Sequence, residues 1–113
     1  MQPLTASNVP REPRAVVEKR VLLFLLAMRE AERRGMAINS TDVQETSDGI
    51  RVRFGLSDGD ACVSWMKSVG LDEASYTRFM VHATAVRLVQ EAMSGEIADF
   101  IDVFEKVQTL HHR

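Results

Sequence analysis

Cysteine occurs once in the 113 residues, at Cys62, so no internal disulfide can form and no cysteine cluster can hold zinc. A lone thiol of this kind reads as a small buried hydrophobe rather than a nucleophile. Proline occurs three times, always before residue 14, so nothing in the remaining chain forbids long helices. The six glycines stand singly, which excludes a glycine-rich phosphate loop. Aromatic residues make up 6%, with one Trp and one Tyr, so the core must be built from aliphatic side chains and thioethers. Long apolar runs are missing too. The best candidate, Val21 to Met28, is far short of the roughly 20 residues that span a bilayer. Lys19 and Arg20 precede it as in a signal peptide, but charged Arg29 to Arg34 follows it instead of a small-residue cleavage site. A cytoplasmic chain with no membrane partner is expected.

Neither sign of charge dominates. The formal net charge is -2, which creates no global field to attract nucleic acid. The distribution is uneven: Met1 to Arg53 carries nine basic and seven acidic residues (net +2), and Phe54 to Arg113 five and nine (net -4). A chain of this length holds one domain with a modest core, without room for a separate catalytic domain.

Residues 1–13 contain all the prolines and little apolar content, and read as a flexible arm, with Pro13 suited to a first helical turn. Residues 14–113 read as one helical binding domain. From Arg14 to about Arg34, apolar residues at Val17, Val21, Phe24, Leu25, Met28 and Ala31 recur at helical spacing. Leu22, Leu23 and Leu26 widen the stripe, which predicts a helix enclosed on more than one side, stopped at Gly35. Asn39 to Asp42 offers caps for a second helix, and Val43, Ser47, Ile50 and Phe54 share a helical face. Yet Asp48-Gly49 is a turn signal and Ile50 to Phe54 alternates like a strand, so a hairpin around 43–54 stays open.

Ser57 is expected to cap a short helix, opposite Asp60, with Ala61, Trp65, Met66 and Val69 inward and Gly70 as the stop. Asp72 caps a fourth helix reaching about Ser94, with Leu71 and Tyr76 spaced as a hydrophobic staple. Phe79, Met80, Ala83, Val86, Val89 and Met93 face inward there, and Gly95 is expected to end it. Ile97, Phe100, Ile101, Phe104 and Val107 form the stripe of a last helix whose outer face is acidic. The fold class is all-α, with four or five helices.

No catalytic residue, metal site or cofactor is predicted. His111 and His112 are adjacent at the chain end, His82 has no carboxylate three or four positions away, and the Asp99/Asp102 pair lacks further ligands. A helix-turn-helix reading would place recognition at the helix opening at Asp72. Its first turns offer Glu73, Ser75 and Thr77 with only Arg78 basic, which argues against nucleic acid. What remains is an apolar surface for a peptide or partner protein, since thioethers re-pack cheaply. The candidate binding residues are Phe24, Met28, Trp65, Met66, Phe79 and Met80. Trp65 is expected to be partly exposed, because so short a helix can hardly enclose it. The alternative readings are a helix-turn-helix DNA-binding regulator and an obligate oligomer sealing the stripe from Ile97 to Val107 against a copy of itself.

The order of signals carries a resemblance. Ala31-Glu32-Arg33-Arg34-Gly35-Met36 precedes Ile38-Asn39-Ser40-Thr41-Asp42-Val43, then Arg53-Phe54-Gly55-Leu56, Trp65-Met66-Lys67-Ser68-Val69-Gly70-Leu71 and a long helix. Over roughly Val16 to Val89 this resembles the N-terminal chaperone-like domain of SurA-type peptidyl-prolyl isomerases, a fold shared with the peptide-binding part of trigger factor. The resemblance implies an all-helical holder of extended polypeptide, with helix between Thr41 and Phe54. No parvulin domain or secretion signal accompanies it, so isomerase activity is not implied. Similar domains beside peptide-modifying enzymes imply an accessory subunit that presents a peptide substrate.

Overall fold

The computed structural model describes residues 12–112 and contains five α-helices followed by a 3-10 turn at Thr109–His112. The arm expected over residues 1–13 lies outside the described residues except for Glu12 and Pro13. Helix α1 (Arg14–Arg33) starts beside Pro13, which occupies the cap position rather than the first turn. Its carbonyl accepts from the amides of Val16 and Val17. Gly35 ends α1 at φ +66, a conformation that side chains disfavour, and brings the Met36 amide to within 2.9 Å of the Ala31 carbonyl.

Helix α2 (Ser40–Arg53) is capped by Asn39, whose Oδ1 accepts from the Asp42 amide at 2.9 Å. It runs straight through Asp48-Gly49, and no strand occurs among the described residues. The hairpin alternative is thereby replaced by helix. Gly49 lies mid-helix with φ outside the left-handed region, and a Cβ there would meet nothing within 4 Å. Gly49→Ala is therefore expected to stabilise the chain by about 0.5–1 kcal/mol, read as a higher urea midpoint. A loss of stability would show that Gly49 belongs to a turn after all.

Helix α3 (Gly59–Val69) is capped by Asp58, not Ser57, through a long 3.4 Å contact to the Asp60 amide. Gly70 stops it at φ +70, as its position predicts. Helix α4 (Glu73–Ala92) is capped by Asp72, whose Oδ1 lies 2.7 Å from the Ser75 amide. That hydrogen bond holds the Asp72 carboxyl below its ordinary range. Helix α5 (Ser94–Gln108) begins after Met93 alone. Gly95, the expected stop, sits in the first turn of α5. The break is made by Met93, at φ -102 and ψ 13, which serves as the end of one helix and the start of the next.

Helix α4 is the centre of the fold. Phe24, midway along α1, meets Phe79 in the first half of α4, and Arg34, just past the end of α1, approaches Glu96, just past the end of α4, so the two helices run in the same direction. Between these points Ala27, Ala31, Ala85 and Val89 form the buried cluster, flanked by Met28, Met36, Ile38, Val86 and Met93. Three alanines at the contact let the backbones approach closely. Helix α2 runs the opposite way along α4 and is joined to it by polar groups. Ser47 Oγ lies 2.7 Å from the Tyr76 hydroxyl, and the fully buried Thr84 hydroxyl lies 2.9 Å from that of Thr46. Arg87 donates to the Asp42 carbonyl at 3.3 Å.

Two expectations of burial are overturned. Val21, Leu22, Leu23 and Leu26 are each about half exposed, because only α4 packs closely along α1. No residue of α5 is buried, although its stripe has the predicted spacing.

Candidate functional site

The parallel course of α1 and α4 leaves a groove on each side of their contact. The first lies between their N-terminal halves and encloses about 550 Å³. Its floor is the Phe24/Phe79 pair, with ring centroids 5.1 Å apart and planes inclined by 49°. Val17, Val21 and Leu25 extend this apolar floor along α1. Phe79 remains 49% exposed, so a large part of its ring is available to a ligand. Its neighbour Met80 points into the core and is 5% exposed. Successive helical residues diverge by about 100°, which is why adjacent side chains serve opposite purposes.

The rim of this first groove is polar and mostly basic. Arg20 is held by Glu12 through bonds of 3.1 and 2.9 Å. Arg78 and Ser75 stand on the α4 side. His82 Nδ1 donates to the Arg78 carbonyl at 2.8 Å, which fixes the tautomer when the ring is neutral.

The second groove, about 810 Å³, lies between the C-terminal halves of α1 and α4 and ends at the first turn of α5. Leu23, Leu26, Val86, Val89 and Met93 give it an apolar floor, and Ile97 continues that floor onto α5. Arg29, Arg33 and Arg34 stand along its α1 edge. Glu30 accepts from both Arg33 and Arg34, and these bonds lower its carboxyl to about 2. The same contact raises the Arg33 guanidinium further above its ordinary value.

Of the six candidate binding residues, the structure brings Phe24 and Phe79 together in the first groove. Met28 packs against the core cluster, and Met80 is buried, so its expected place on an open binding surface is not realised. Trp65 and Met66 are half-buried on α3, which contributes nothing to either groove. Sequence reasoning missed the second groove. Its signal was present in Leu22, Leu23 and Leu26, which give α1 more apolar surface than one neighbouring helix can cover.

Among the described residues no three His, Cys, Asp or Glu side chains are grouped so as to hold a metal ion. Cys62 is buried, as its solitary occurrence suggests. No described helix is long and apolar enough to cross a membrane. Comparison with known protein families, curated proteins and solved structures finds no match.

Proposed function

We propose that this chain is a non-catalytic helical module that holds an apolar stretch of polypeptide in the groove floored by Phe24 and Phe79. The observation that carries this reading is the half-exposed Phe79 ring, packed at a tilt against Phe24 at 5.1 Å beside Val17, Val21 and Leu25. A rigid aromatic anchor in an apolar cleft is the common form of a binding hot spot, because it buries much area for little lost side-chain freedom. Arg78 at the rim favours segments that carry an acidic residue beside their apolar part. In the form implied by the SurA-type resemblance, the bound segment is a peptide substrate presented to a modifying enzyme, and the chemistry belongs to that enzyme.

Phe79→Ala is expected to weaken binding of a fluorescein-labelled, reduced and carboxymethylated unfolded protein by about tenfold, or about 1.4 kcal/mol, in an anisotropy titration. Trp65→Phe, outside the groove, should leave the affinity unchanged. A folded Phe79→Ala variant that binds as tightly as the parent chain would sink the reading.

A further inference from the structure

Beyond its first turn, where Glu96 and Ile97 close the end of the second groove, helix α5 cannot meet that groove within its own chain. The groove is apolar along its floor, and its α1 edge carries Arg29, Arg33 and Arg34 against one acid, Glu30, which accepts from the latter two. Helix α5 carries an apolar stripe with Phe100 66% and Phe104 56% exposed, together with four acids against a single lysine, Lys106. Glu105 flanks the stripe one turn from Ile101, whereas Glu96 stays beside Arg34 of its own chain at 3.9 Å. Apolar surface and sign of charge therefore match the helix to the groove.

Connectivity forbids the intramolecular solution. The groove ends at Glu96 and Ile97, where α5 begins, and Met93 is the single residue between α4 and α5. Lying back in its own groove would require α5 to reverse direction, and antiparallel helices need a loop of about 2–5 residues. A helix of 15 residues without buried side chains is also marginal in water, since most helical stability in proteins comes from packing of an apolar face.

From this juxtaposition we propose that two copies of the chain form a reciprocal dimer, each placing α5 in the α1/α4 groove of the other. A two-fold axis then makes both contacts at once, since the same pair of complementary surfaces occurs twice. Leu23 and Leu26 in the groove, with Phe100, Ile101, Phe104, Val107 and Leu110 along the helix and its end, are each about half to two-thirds exposed. Their joint burial, on the order of several hundred Å² per copy, is of the size a standard interface takes from each partner, about 800 Å². Phe24 and Phe79 lie outside the area so covered, and the dimer is independent of polypeptide binding.

The test uses sedimentation velocity on the full chain between about 1 and 100 μM. The parent chain is expected to sediment as two copies of its 12.7 kDa mass. Leu23→Glu disables the groove and Phe104→Glu disables the helix, and each alone should raise the dissociation constant at least tenfold. Mixing the two variants should restore a two-chain species, because the pair retains one intact groove facing one intact helix. Far-UV circular dichroism checks helicity, with Leu23→Gln and Phe104→Gln replacing any variant that loses it. A parent chain that stays monomeric throughout, variants that remain dimeric, or a mixture that stays monomeric would each overturn the proposal. The last outcome would point to pairing of like surfaces instead.

Discussion

Met80→Ala is expected to lower the unfolding free energy by about 3 kcal/mol while leaving polypeptide affinity of the folded chain unchanged. Met80 is 5% exposed, so truncation removes most of a buried side chain and leaves a cavity that the neighbouring helices fill only in part. The adjacent Phe79, half exposed, should show the opposite pattern on truncation, with binding weakened about tenfold and stability nearly kept. Urea unfolding followed by circular dichroism measures the first quantity, and the anisotropy titration measures the second. Finding that Met80→Ala abolishes binding at full stability would return Met80 to the binding surface that its sequence position suggested.

Ala85→Leu should destabilise the chain by about 3 kcal/mol for the reverse reason. Ala85 is fully buried, and Ala31 across the contact is 1% exposed. Three added carbons have no space to enter, so α1 must move off α4 or the leucine must adopt a strained rotamer. Ala85→Gly tests the same contact from the other side. It leaves the spacing intact and should cost only about 1 kcal/mol, through backbone freedom in mid-helix. An Ala85→Leu chain as stable as the parent would mean that the two helices are not held at this distance.

Local chemistry made most helix ends legible. Asn39 and Asp72 carry side-chain oxygens that accept from amides three residues on, and Gly35 and Gly70 supply the left-handed stops. Ser57 was an equally good cap on local grounds, but Asp58 took the position. Gly95 misled because a helix can also break at an ordinary residue, as it does at Met93. The course of α2 was undecidable locally, since Gly49 weakens a helix and Asn39 starts one. The bonds of Ser47, Thr46 and Asp42 to α4 bridge 29 to 45 residues, and no local pattern contains them. The grooves were the least legible part. Spacing tells which side chains share a face but not whether another helix covers that face, so Phe79 and Met80 looked alike. Thr84, the largest fully buried side chain among the described residues, gave no apolar signal at all.

The single-residue join at Met93 also has a mechanical meaning. A 15-residue helix is about 22 Å long, so α5 acts as a lever whose pivot is one pair of backbone angles. A rotation of about 20° at the pivot carries the far end through about 8 Å, by the same dimensions. Val89, whose carbonyl accepts from the Met93 amide, belongs to the core cluster one turn before the pivot. A load applied at the tip of α5 is thus delivered directly to the last turn of α4, and the position of the tip reports the setting of that turn with large gain.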